Sequence, residues 1–157
     1  MLGEVGYPMR KLFFLLLLLL SAQAFAGTKT LVNVDKNGVA LQGHDPVAFF
    51  TQNQPVKGSS QFQSTYNGAK YLFASQENKN LFDANPSKYE PQFGGYCAYA
   101  ASRNKTAPIE VDAFQILNGR LLLQYDKAIR DKFNKDSQGN LKQADSNWPG
   151  LVEKYGK

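Results

Sequence analysis

Cys97 is the only cysteine in the 157-residue chain and His44 the only histidine. These are the side chains that ligate transition metals or pair as nucleophile and base. A closed zinc site wants four ligands, chiefly Cys and His, and Cu(I) wants soft sulfur. Both methionines, Met1 and Met9, precede Gly27, so residues 27–157 offer one thiolate, one imidazole and no thioether. Counting excludes a site of four such ligands from one chain. A copper or zinc ion would have to use His44 and Cys97, helped by the neighbouring Asp45, or be shared between two chains. The other readings are a loop histidine with a small core cysteine, or a Cys97 that bridges two copies into a homodimer.

Catalysis finds less to work with. A reactive thiol needs a nearby cation, helix N-terminus or base, and His44 is the single imidazole. The lone cysteine rules out Cys-x-x-Cys chemistry. A Ser/His/Asp triad would have to use His44 followed at once by Asp45, a spacing that rarely lets one orient the other, and no Gly-x-Ser-x-Gly is present. A non-enzymatic protein is expected. Aromatic side chains crowd the thiol: Tyr89, Phe93, Tyr96 and Tyr99 surround Gly94-Gly95. With Asp45 they are candidates for the wall of a small-molecule or partner pocket, set against ordinary core packing. The paired glycines let backbone approach closely, whether that of a ligand or of a neighbouring strand.

The elements that would position these residues are short and densely punctuated. Leu31–Val34 and Val39–Leu41 flank a turn at Asp35–Gly38. Val47–Thr51 reads as a short apolar strand. Residues 61–66 and 69–73 flank Asn67-Gly68, a two-residue hairpin signal, with Phe62, Tyr66, Tyr71 and Phe73 on one face. Ser75 can cap a helix that buries Leu81 and Phe82 and stops at Asn85-Pro86. Residues 114–117 and 120–125 flank Asn118-Gly119 as a second hairpin. Asp126 then caps a helix with Ile129 and Phe133 four apart on one face, ended by Gly139, and a last helical piece runs from Asn140 toward Trp148-Pro149. The segment around Cys97 fits a short helix or a buried turn. Together these predict an α+β fold, a small antiparallel sheet of hairpins packed against two or three short helices.

Residues 1–26 read as a cleavable secretory signal. Arg10-Lys11 is a positive n-region, Leu12–Leu20 an apolar run too short to span a bilayer, and Ala24-Phe25-Ala26 a small-x-small cleavage triplet. The expectation is an exported protein, periplasmic or secreted, with one domain over residues 27–157 and no membrane span after cleavage. The formal net charge is +5, but the basic residues are scattered singly, which argues against nucleic acid as a partner.

His44-Asp45-Pro46-Val47-Ala48-Phe49-Phe50, Tyr71-Leu72-Phe73-Ala74-Ser75 and Asn85-Pro86-Ser87-Lys88-Tyr89 resemble, in order and approximate spacing, the YHS-domain family. The exported branch also carries phrases similar to Gly94-Gly95-Tyr96-Cys97-Ala98 and Asn147-Trp148-Pro149. On that branch the resemblance covers Gly43 to Pro149. It implies a small metal-associated module, with copper or zinc as the ligand class. The family's metal-type members place a cysteine soon after Asp-Pro-Val, where this chain has Ala48, Phe49 and Phe50, and the naming histidine falls at Leu72. The fold is therefore expected to carry over more fully than the metal site.

Overall fold

The computed structural model describes Gly3 and residues 27–157; the expected signal segment lies outside the described residues. Asn67 and Asn118 both take positive φ, at 49° and 52°, and the glycine after each does the same. Those two turns close the two antiparallel hairpins, β1 (Ser59–Tyr66) with β2 (Ala69–Phe73) and β3 (Glu110–Leu117) with β4 (Arg120–Gln124). Each hairpin forms its own two-stranded sheet and feeds a capped helix. Ser75 Oγ accepts from Asn78 N at the start of α2 (Gln76–Ala84), and Asp126 accepts from Ile129 N at 2.7 Å at the start of α5 (Lys127–Asn134). The fold is α+β, with six α-helices among the described residues against the two or three predicted.

Three local expectations change. Residues 46–51 form a helix, α1 (Pro46–Thr51), not a strand. Asp45 accepts from Val47 N and Ala48 N, and Pro46 sits at the first helical position, where its missing N–H costs nothing. Leu81 is 39% exposed, so α2 buries Phe82 without it. α2 stops at Ala84 with Asn85 as its C-cap, as expected, and Pro86 starts a new turn, α3 (Pro86–Tyr89). Gly139 does not end α5 but lies in the first turn of α6 (Ser137–Tyr155), which runs on through Pro149. Asp136 caps α6 by accepting from Gly139 N at 3.0 Å, and a Cβ on residue 139 would collide with that carboxylate. The glycine makes room for a cap.

The core has two lobes. Phe82 packs on the rings of Tyr66, Tyr71 and Phe73, and Phe49 meets Phe114 edge-on at 4.9 Å, joining α1 to the second hairpin. The other lobe gathers Phe93, Ala98, Phe133, Leu141, Ala144 and Leu151. β4 divides itself between them by its two-residue period: Leu121 and Leu123 face the first lobe, Leu122 the second. Residues 91–97 run alongside β4, with single bridges from Pro91 to Leu121 and from Cys97 to Leu123. Thr30 and Lys157 exchange backbone hydrogen bonds at 3.0 Å in each direction, which holds residue 30 against the end of α6.

Candidate functional site

The sequence-predicted site residues do not converge. Cys97 sits just before α4 (Ala98–Ser102), 1% exposed, and its thiol donates to Gln124 Oε1 at 3.3 Å. Burial pushes the thiol above its ordinary pKa, against the pull of the backbone N–H groups of Ala100, Tyr125 and Tyr99. An enclosed, protonated sulfur is a poor nucleophile and a poor ligand. An intermolecular disulfide would require that enclosure to open. The His44 ring has different company: Nδ1 lies 3.1 Å from the Leu41 carbonyl, and the backbone pairs with Lys57.

Asp45 is fully buried and its carboxylate is completely committed. Oδ1 accepts from Val47 N and Ala48 N, at 2.8 and 3.3 Å; Oδ2 accepts from Ala74 N and Asn78 Nδ2, both at 2.8 Å. It clasps α1 to the end of β2 and to α2, and has no lone pair left for an ion. Among the described residues no three His, Cys, Asp or Glu side chains come together as a metal group.

The aromatic candidates also part company. Tyr89 is buried in the first lobe, edge-on to Phe50 at 5.4 Å. Tyr99 lies under Arg103, whose hydrogen bond to the phenol lowers its pKa. Tyr96 borders a depression with Val34 and Tyr155. Phe93 alone reaches the cleft described next.

That cleft, about 310 Å³ in volume, opens between residues 29–32, the loop 90–94 and the outer face of α6. Gly94 makes it possible: at φ 59° its Cβ position would fall on the Leu31 carbonyl, so only glycine lets residues 31–33 pass and Asn33 N donate to the Gly94 carbonyl at 2.8 Å. Phe93 and Trp148 stand edge-on at 5.8 Å on one side. Tyr71 reaches the cleft from β2. The residue is 1% exposed, its hydroxyl has no hydrogen-bond partner among the described residues, and yet it is not sealed off as the side-chain amide atoms Gln115 Oε1 and Gln124 Nε2 are. The cleft supplies its remaining access to solvent. Burial, and then the charge of Glu90, push the Tyr71 phenol far above the ordinary tyrosine pKa, so it stays neutral.

Cations and carboxylates around the cleft are unevenly matched. Arg120 gives Nη1 and Nη2 to Asp145 at 2.9 and 2.6 Å and Nε to Gln92. Lys29 is bound to Glu153 at 2.7 Å. Glu90 has no ion-pair partner among the described residues, and burial raises its pKa. A carboxyl whose folded pKa is raised favours folding when protonated. That contribution is complete below the ordinary glutamate pKa and is lost as pH rises through the folded value. Glu90→Gln is therefore expected to exceed the wild type in unfolding free energy by a few tenths of a kcal/mol near neutral pH, a half-buried group being partly screened. Urea titrations at about pH 7 and about pH 3.5 check this; an advantage that persists at the lower pH would contradict it.

Sequence reasoning found Phe93 and missed Tyr71, Glu90, Arg120 and Trp148 as site residues. The unusual pairing of the chain's only tryptophan with a following proline was visible, but nothing local placed it opposite residue 71.

The cleft belongs to an α+β fold, and neither Cys97 nor His44 lines it. Residues 47–92 match the family model of the YHS domain, a stretch that runs from α1 through α3. No curated protein matches the chain, and no solved structure does. The match takes in Tyr71 and Glu90, while Phe93, Arg120 and Trp148 follow it, so the cleft draws on residues inside and outside the matched stretch.

Proposed function

We propose that this chain is a small non-enzymatic binding module, a YHS domain extended by a second hairpin and α6, that holds a small organic molecule in the Tyr71–Phe93–Trp148 cleft. One observation carries the reading: Tyr71, a residue only 1% exposed whose hydroxyl makes no hydrogen bond among the described residues, lines a cavity walled in part by aromatic side chains, at the lower end of the size range of small-molecule pockets. The hydroxyl keeps access to solvent through the cleft, so a ligand bound there would take the place of water as its hydrogen-bond partner.

A copper or zinc ion, the ligand class suggested by resemblance to the YHS family, would have to rest on Cys97 and His44, and those side chains have partners of their own. The non-enzymatic character draws support from the same facts, because the thiol is enclosed and protonated while the imidazole lies against Leu41. Backbone-amide NMR with phenol, cyclohexanol and nicotinamide as probes tests the cleft. Resonances of Leu31, Gly94 and the Trp148 indole should move with at least one of them. Shifts confined to other surfaces, or no shifts at millimolar probe, would sink the reading.

A further inference from the structure

We propose that the cleft takes an organic amine, a protonated ammonium carried on a small apolar body, with Glu90 as its counter-ion and the Tyr71 hydroxyl as a second acceptor. The proposal rests on the reading of the cleft as a small-molecule site and names the ligand's chemistry.

The charges of the cleft decide the sign. Its cations are already spent: both terminal nitrogens of Arg120 grip Asp145, its Nε is held by Gln92, and Lys29 is tied to the Glu153 carboxylate and carbonyl. A carboxylate or phosphate ligand would have to break a bidentate pair to find a donor. The acceptors are unspent. Glu90 is a half-buried carboxylate without an ion-pair partner among the described residues, and the Tyr71 oxygen beside it is likewise free. A desolvated carboxylate gains most from a donor that is itself charged. An ammonium meets that need, and its N–H groups can bond both oxygens at once.

The walls decide the body. Leu31, Val32, Phe93, Trp148 and Val152 line the remainder of the cleft. Arg120 already lies over the Phe93 ring, its guanidinium carbon 5.7 Å from the centroid. That leaves the Trp148 indole as the aromatic face for an incoming cation or the carbon next to it. A volume of about 310 Å³ suits a molecule of roughly ten heavy atoms.

Trp148 is the chain's single tryptophan, so intrinsic fluorescence reads the cleft directly. The full chain would be titrated with cyclohexylmethylamine, cyclohexylmethanol and cyclohexanecarboxylate, which share one body and differ in charge. The amine is expected to bind about tenfold or more tightly than either of the others, and Glu90→Gln to remove about that factor for the amine while leaving the alcohol unchanged. Tyr71→Phe should cost the amine a further, smaller factor. If the alcohol or the carboxylate binds as well as the amine, or Glu90→Gln leaves amine affinity intact, the amine assignment falls while the cleft remains a small-molecule site. If none of the three perturbs Trp148 and the neutral NMR probes also leave the cleft silent, the cleft reading falls and takes the amine with it.

Discussion

Asp45→Ala is expected to remove about 3–5 kcal/mol of stability. The carboxylate is fully buried and accepts four hydrogen bonds, from Val47 N, Ala48 N, Ala74 N and Asn78 Nδ2. Alanine leaves all four donors facing a void. The loss of the helix cap accounts for about 1 kcal/mol. The orphaned Ala74 and Asn78 donors account for the rest, because each buried unpaired donor costs about 1–3 kcal/mol. At roughly 3–5 °C per kcal/mol for a domain of this size, the melting temperature should fall by roughly 10–20 °C. Asp45→Asn separates charge from shape. One amide oxygen can still cap α1, but the NH₂ then confronts two donors, so most of the loss should remain. Adding Asn78→Asp gives that NH₂ an acceptor and should recover part of it, a coupling that a double-mutant cycle reads directly. A melt of Asp45→Ala within about 2 °C of the wild type would show that the clasp contributes little.

Asp45 also shows how a sequence can signal chemistry that the fold spends on structure. Next to the lone histidine and ahead of Pro46, it reads equally as a helix cap and as a possible ligand. Only the approach of Ala74 and Asn78, some thirty positions on, settles that its second oxygen is used. The hairpins were legible because their turns are local: Asn-Gly admits the positive φ that both turns adopt. The caps at Ser75 and Asp126 were legible for the same reason. Residues 47–51 misled because a five-residue apolar run carries no period, and burial on all sides suits a strand or a helix equally. The Asp45-Pro46 start was the available tie-breaker. Leu81 and Phe82 are adjacent on α2 and point about 100° apart, and the first lobe of the core receives Phe82 while Leu81 lies 39% exposed. The cleft was not legible at all. Its walls come from residues 29–32, 71, 90–94, 120 and 145–152, and only tertiary packing brings them together.

Gln124→Ala is expected to cost about 2–4 kcal/mol and to change the chemistry of Cys97 at the same time. Gln124 is fully buried in β4, and its Oε1 accepts from Tyr99 N at 2.9 Å as well as from the thiol. One carbonyl oxygen thus joins the β4 strand to the first turn of α4 and fills the space beside the sulfur. Truncation deletes an acceptor used twice and leaves a cavity. Gln124→Met keeps the volume and loses only the acceptor. It also removes Nε2, which has no partner among the described residues, so its cost should be smaller, about 1–2 kcal/mol. The gap between the two variants in urea titrations measures the cavity. Labelling kinetics with a small aromatic disulfide then report on the thiol. In the wild type, reagent should reach Cys97 only through local opening, far more slowly than in the unfolded chain. In Gln124→Ala, access through the cavity should speed labelling by about tenfold or more, while Gln124→Met should stay close to the wild type. Rapid labelling of the native protein would mean that the sulfur is within reach of solvent. The chain's single cysteine would then have to be counted among its reactive groups and not, as the packing around Gln124 has it, among the residues that hold α4 against the sheet.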